Sequence, residues 1–151
     1  MRRFVALGIF VACSAVMPAA IAPASTTSAP VIVTPSQIVW QTSKLYPPRV
    51  KVAVLTGDYA TSGWAVIRLE IPDGVKLMPH VHPGPEYVTV MQGTLLVGLG
   101  DTMNPAKMKA LPAGSYLEVP AKLPHYAQAK GETILQISGP GPLLMHFVSS
   151  H

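Results

Sequence analysis

The chain has 151 residues, of which 49% are hydrophobic and only 12% are charged. This is the length of one domain, and the apolar share is large enough to bury a substantial core. The formal net charge of +4 is small, and no run of Lys and Arg alternates with aromatic residues, which excludes a nucleic-acid-binding surface.

The first 24 residues have the layout of a secretory signal peptide. Arg2 and Arg3 precede the apolar stretch FVALGIFVACSAVM, and the small-residue run PAAIAPAS follows it. The apolar stretch is shorter than the roughly 20 residues that a membrane span needs. We therefore expect cleavage before Ser25, export to the periplasm or out of the cell, and no stable membrane span afterwards.

Two alternatives to cleavage stay open. The leader could remain as an uncleaved membrane anchor, or Cys13 could be part of a degenerate lipoprotein site, although Phe10 suits the first position of such a site poorly. Cleavage would remove Cys13, the only cysteine, and would lower the formal net charge from +4 to +2. The mature protein would then contain no disulfide and would depend on a packed core.

Residues 25–36, STTSAPVIVTPS, are rich in Ser, Thr and Pro and are predicted to form a flexible leader into a domain over residues 37–151. In that domain, short runs of β-branched and alternating residues are separated by Gly and Pro, as in VKVAVLTGD and GWAVIRLEIPDG. The run YVTVMQGTLLVGLGD predicts a hairpin with Gln92-Gly93 at its turn. Eight or more such strands, with no amphipathic helix, predict an all-β fold, a sandwich or barrel.

The segment HVHPGPEYVTVMQG contains three candidate metal ligands. His80 and His82 are two residues apart, so in a strand their side chains share one face. Glu86 opens the next strand in phase with Val88 and Val90, which suggests that it faces an apolar interior. A buried carboxylate is unfavourable unless it is paired or binds a metal, so coordination would explain this placement.

A fourth candidate, His125, begins another strand. Ala127 and Ala129 are in phase with it, and their small side chains would leave space beside a site. A lone His-x-His pair is a weak signal, whereas the full set of three histidines and one glutamate is a strong one. The alternative is a group of core histidines that bond to Glu86 without any ion.

The stretch GVKLMPHVHPGPEYVTVMQG, from Gly74 to Gly93, resembles the first motif of the cupin family at every spacing. In cupins the two histidines and the glutamate of this motif bind a divalent metal. The resemblance therefore implies that His80, His82 and Glu86 are metal ligands in a single small antiparallel β-barrel of the cupin type.

The second cupin motif is matched by Gly114, Pro120 and His125, which implies that His125 is the fourth ligand. Two positions depart from the motif. Lys122 replaces its glycine and Ala129 replaces its asparagine, so we expect differences in the turn before His125 and in one wall of the pocket.

Three imidazoles and one carboxylate suit one divalent ion of Fe, Mn, Zn, Ni or Cu and leave positions open for a small-molecule ligand. A site charge near +1 would favour an anionic or enolisable molecule. The resemblance implies dioxygenase, decarboxylase or isomerase chemistry, or alternatively a non-catalytic binding module.

Glu118 is a candidate general base if its strand face points inward, and Arg68 is the other candidate pocket residue. The resemblance also implies that a homodimer could form by exchange of N-terminal strands, for which the segment VIVTPSQIVW could serve.

Overall fold

The regular secondary structure of the described residues is almost entirely β-strand. The computed structural model describes residues 29–148, and in this range the only helices are two 3-10 turns, Pro35–Gln37 and Pro105–Lys107. None of the helices described is long and apolar enough to cross a membrane. The predicted signal peptide over residues 1–24, with Cys13, lies outside the described residues, as do residues 25–28 of the predicted leader. The strands are β1 (Gln41–Thr42), β2 (Lys51–Thr56), β3 (Gly63–Ile71), β4 (Lys76–Val81), β5 (Glu86–Leu99), β6 (Lys109–Pro112), β7 (Tyr116–Val119), β8 (His125–Gly141) and β9 (His146–Phe147).

The strands pair antiparallel in one curled sheet. Its main path runs in the order β1-β2-β3-β8-β4-β9, and β5 pairs with β6, β7 and β8. One edge of the long strand β8 pairs with β4 near its start and with β3 near its end, while its other edge pairs with β5 over residues 125–138, and this shared pairing curls the sheet. The prediction of an all-β, single small antiparallel barrel is confirmed.

Strand β3 illustrates how the sequence builds the barrel interior. Successive side chains of a strand point to opposite faces, so alternate residues of GWAVIRLEI face the core. The inward set is at most 1% exposed and consists of Ala65, Ile67, Leu69 and Ile71. Burial of each of the larger side chains contributes about 1.5–3 kcal/mol, and matching residues from β2, β5 and β8 complete the core.

The predicted hairpin at Gln92-Gly93 is wrong, because β5 continues without reversal from Glu86 to Leu99. The register with β8 shifts on both sides of Gln92, which pairs with Ile134, and Gly93 has a φ of 74°. These features describe a bend of the β-bulge kind, where glycine adopts a positive φ without strain. The partner strand β8 extends past the bend and keeps β5 paired, a non-local cause that the Gln-Gly dipeptide does not reveal.

Replacement of Gly93 by alanine is expected to lower the free energy of unfolding by about 3 kcal/mol. The alanine backbone would be strained at this positive φ, and its Cβ would have no space. That Cβ would collide with the backbone carbonyl of Glu132 and lie 2.9 Å from the Cα of Thr133. Gly131 is a matched control, since its φ is 73° but nothing lies within 4 Å of its Cβ position. Gly131→Ala should lose only about 1 kcal/mol in urea unfolding. Equal losses in the two variants would contradict this account of the bend.

Candidate metal centre

Strand β4 brings His80 into the barrel through a β-bulge. Leu77 pairs with Ala127 and His80 pairs with His125, so three steps along β4 match two steps along β8. The additional residue places Leu77 and His80 on the same inner face, although they are an odd number of residues apart. Pro79 lies within this irregular stretch, where a residue without an N–H group is tolerated in a strand.

His82 and Glu86 lie on either side of the turn between β4 and β5, and each is 5% exposed. The carbonyl of His82 accepts a hydrogen bond of 2.9 Å from the N–H of Lys122, whose φ is 62°. Lys122 stands where the second motif has glycine, and the positive φ is the physical reason for glycine there. The lysine adopts the same backbone conformation, so the turn before His125 keeps this hydrogen bond.

Each histidine of the site is oriented by a hydrogen bond between its Nδ1 and a backbone carbonyl. A carbonyl oxygen can only accept, so each Nδ1 carries a proton, and in the neutral tautomer that this fixes the lone pair is on Nε2. Metal-binding histidines are commonly fixed in this way. The N–O distances are 2.6 Å from His80 to Met78, 2.9 Å from His82 to Leu144 and 3.0 Å from His125 to Leu123.

The structure brings the three histidines together. One ring nitrogen from each of His80, His82 and His125 lies within 4.8 Å of the other two. The ring centroids of His80 and His125 are 4.2 Å apart, and those of His80 and His82 are 5.0 Å apart in a perpendicular arrangement. Since every Nδ1 is bonded to a carbonyl, the nitrogens available to an ion are the Nε2 atoms.

Glu86 lies beside this cluster but is not one of the residues whose ligand atoms are mutually within 4.8 Å. Its Oε2 is 3.1 Å from Nε2 of His82 and 4.0 Å from Nε2 of His125. The shorter distance suggests a bond, yet Nε2 of His82 is buried and makes no hydrogen bond. With its proton on Nδ1, Nε2 has no hydrogen to donate, and a carboxylate oxygen can only accept. An unpartnered nitrogen lone pair facing a carboxylate fits a bound cation.

Burial keeps two of the histidines, His80 and His125, in the neutral form that binds metals. It lowers the pKa of His80 to about 4, and the neighbouring His125 lowers it further, while the bond to Met78 opposes the shift. Burial also lowers the pKa of His125. Both rings are therefore neutral at pH 7, as a metal ligand must be.

The cluster lines a small, mostly apolar cavity of about 40 Å³, measured as space for the centres of water-sized molecules. Its walls include Leu77, Val88, Ile137 and Met145. Since one water needs roughly 10–15 Å³ by this measure, the cavity can hold only a few small atoms or groups at once. Ala129, which replaces the asparagine of the second motif, packs in the core, and Ala127 lines the cavity.

Sequence reasoning missed one polar residue of the cavity, Tyr46. Burial raises the pKa of its hydroxyl well above the usual range, and the charge of Glu86 and the nearby Tyr59 raise it further. The phenol is therefore protonated at neutral pH. Tyr46 precedes Pro47 in a segment without a strand pattern, so the sequence contained no signal for the direction of its side chain.

The two candidate residues beyond the ligands are on the outside. Glu118 is exposed and pairs with Tyr87 across β7 and β5, while its neighbours Leu117 and Val119 line the cavity. The condition for Glu118 to act as a general base, an inward side chain, is not met. Arg68 is half-buried on the outer face of β3, where its Nε donates to Oε1 of Gln136 at 3.2 Å.

Comparisons with known proteins agree with the fold. Residues 67–138 match the family model described as a cupin domain. A curated relative, germin-like protein 5-1 from Oryza sativa subsp. japonica, is 36% identical over 74 residues, which are 48% of this chain and 34% of the relative. The chain thus spans about a third of the length of that relative.

Solved structures show the same architecture at low sequence identity. The polyketide cyclase RemF from Streptomyces resistomycificus has a TM-score of 0.63 at 14% identity, covering 80% of this chain and 86% of its own. An RmlC-like cupin from Shewanella frigidimarina has a TM-score of 0.59 at 18% identity, covering 74% of this chain and 91% of its own. At sequence identities this low, the structural similarity is evidence for a shared fold alone.

The topology and the inward histidines define a class of protein, a small all-β cupin barrel with three clustered histidines that could hold a metal. The cupin-domain model matches residues 67–138, just under half of this chain, and the structural neighbours share its fold.

Proposed function

We propose that this protein binds one divalent metal ion through Nε2 of His80, His82 and His125 and the carboxylate of Glu86. The proposal is carried by one observation, the buried and unpartnered Nε2 of His82 facing the Glu86 carboxylate at 3.1 Å. Without a cation, lone pairs and a negative charge would be brought together in an apolar cavity, which is unfavourable. A divalent ion would turn these repulsions into bonds.

Three neutral imidazoles and one carboxylate fit Fe, Mn, Ni, Zn or Cu better than Mg or Ca. When bound, such an ion would act as a Lewis acid, and a redox-active one would supply oxygen chemistry. We propose that the site acts on a small anionic or enolisable molecule, in a reaction of the dioxygenase, decarboxylase or isomerase type. One carboxylate against a divalent ion leaves a net positive charge, which attracts an anion.

The cavity walls would assist by excluding water. The residues around the histidines are largely aliphatic, and they lower the local dielectric and strengthen the attraction between the site and an anion. The backbone carbonyls of Met78, Leu123 and Leu144 would hold the three imidazoles in orientation during a reaction.

A non-catalytic binding module is the second candidate function. It is favoured by the position of Glu118 and Arg68, which leaves no second carboxylate and no guanidinium beside the proposed ligands in the described structure. The cavity could then hold a small molecule or a metal without turnover.

Turnover assays with the metal-loaded protein separate the two functions. Small carboxylates and enolisable ketones are supplied with and without dioxygen, and product formation is followed beside a His80→Ala/His82→Ala double variant. Turnover that the double variant lacks supports the enzyme. Saturable binding without turnover supports the binding module, and neither binding nor turnover in the metal-loaded protein would contradict both.

We also propose export through a signal peptide over residues 1–24, with lipid attachment at Cys13 as the minor alternative. The composition of that segment supports export. Mass spectrometry of the protein from a bacterial periplasm tests it, and a mature chain that begins at Ser25 is expected. A lipid-modified Cys13 at the N-terminus would favour the alternative.

Homodimer formation through the segment VIVTPSQIVW is a further proposal. Its side chains Val31, Ile32 and Val39 are 65%, 76% and 77% exposed, which leaves apolar surface for a second copy. Size-exclusion chromatography with light scattering tests this, and a monomer would contradict it.

A further inference from the structure

The cavity contains very few groups that can donate a hydrogen bond to a ligand. The polar side chains that line it are those of Tyr46, His80, His82, Glu86 and His125. The imidazole N–H groups are already bonded to backbone carbonyls, and an ionised Glu86 can only accept. The hydroxyl of Tyr46 is therefore the one side-chain donor of the described cavity that remains available.

Tyr46 is placed in the cavity by a short structured segment rather than by a strand. The N–H of Tyr46 donates to the carbonyl of Ser43 at 3.3 Å, and the N–H of Val50 donates to the carbonyl of Pro47 at 3.2 Å. Arg49, inside the second of these turns, has a φ of 79°. Two hydrogen-bonded turns on either side of Tyr46 fix the backbone, and its ring packs against the hydrophobic core.

The Tyr46 hydroxyl makes no hydrogen bond within residues 29–148. By contrast, the hydroxyl of the fully buried Tyr126 donates to the carbonyl of Asn104 at 3.2 Å. A phenol that lines a cavity, with its O–H group free, is well suited to bind a ligand.

We propose that the Tyr46 hydroxyl donates a hydrogen bond to an oxygen of a small carboxylate held in the cavity, and so selects carboxylates as the ligands of this site. This inference rests on the proposed metal centre, whose net positive charge would hold the same anion. The small cavity volume of about 40 Å³ favours the smallest carboxylates, such as formate or acetate.

The test uses Co²⁺ as the metal probe and acetate as the ligand probe. The purified metal-free protein is titrated with Co²⁺, and the loaded protein is then titrated with acetate while the visible absorption of the cobalt is followed. The variants are Tyr46→Phe, which removes only the hydroxyl, and Tyr87→Phe. Tyr87 follows Glu86 directly but stacks on Trp64 at 5.9 Å, on the outer face, so the same atom is removed outside the cavity.

For Tyr46→Phe we expect an unchanged Co²⁺ affinity and an acetate dissociation constant raised roughly tenfold, the effect of losing one hydrogen bond to a charged group. Tyr87→Phe should match the unaltered protein in both titrations. Unchanged acetate affinity in Tyr46→Phe would overturn the inference alone. Loss of Co²⁺ affinity in that variant would also overturn the inference, since the Tyr46 hydroxyl would then serve to hold the metal ligand Glu86 in place and not to bind acetate. Failure of the unaltered protein to bind Co²⁺ would refute the proposed metal centre and the inference with it.

Discussion

The His80→Ala/His82→Ala double variant is expected to bind divalent metals at least 10⁴-fold more weakly than the unaltered protein. Four-ligand structural sites are worth roughly 10–16 kcal/mol, so each ligand contributes about 3 kcal/mol and two contribute about 6. Both side chains are buried and pre-oriented by backbone carbonyls, so no other side chain of the cavity can replace them. Competition titration with a chromophoric chelator measures the affinities.

His146→Ala is the control for this variant. His146 is exposed on β9, and β9 pairs with β4 next to the site, so its removal changes a nearby imidazole without touching the cluster. The control should bind metal as the unaltered protein does. Equal affinity in the double variant and the control would place the metal elsewhere, and equal loss in both would point to a general disturbance of β4.

Replacement of Glu86 by glutamine is expected to affect stability and metal binding in opposite directions. The metal-free protein should become more stable by about 1–3 kcal/mol, because a buried charged carboxylate is replaced by a neutral group. The amide of glutamine can donate to the lone pair of His82, which the carboxylate cannot. The same change should weaken metal binding by roughly a hundredfold, because an anionic ligand is lost.

Thermal or urea unfolding of the metal-free forms, followed by metal titration, measures both effects of Glu86→Gln. Glu118→Gln is the matched control, since the same atoms change on an exposed residue of the neighbouring strand. Its stability should stay within about 0.5 kcal/mol of the unaltered protein. If Glu86→Gln destabilised the metal-free fold, the carboxylate would serve the structure by pairing with His82 and not as a ligand.

The histidine cluster could be predicted from sequence because its members are defined by local spacing. A His-x-His pair shares a face in any strand, and the glycine and proline positions of two motifs related His125 to that pair. The bulge at Pro79 could not be predicted, since it depends on the register between β4 and β8. Even so, the bulge leaves His80 and His82 on the inside of the barrel.

Features that depend on distant parts of the chain were missed or misread. The bend at Gly93 has the composition of a hairpin turn, and only pairing with β8 makes it a continuation of β5. Tyr46 reaches the cavity from a loop, where no periodicity indicates direction. The face of Glu118 was undecided from sequence because a strand of four residues, Tyr116–Val119, has too few alternations to distinguish inside from outside.

Elemental analysis of the unaltered protein, purified without chelator or affinity tag, tests the metal centre most directly. The account predicts close to one ion of iron, manganese, nickel, zinc or copper per chain, and the identity of that ion would distinguish oxygen chemistry from Lewis-acid chemistry. A chain without metal, which also takes up none of these ions after reconstitution, would contradict the account and leave a barrel whose histidines serve another purpose.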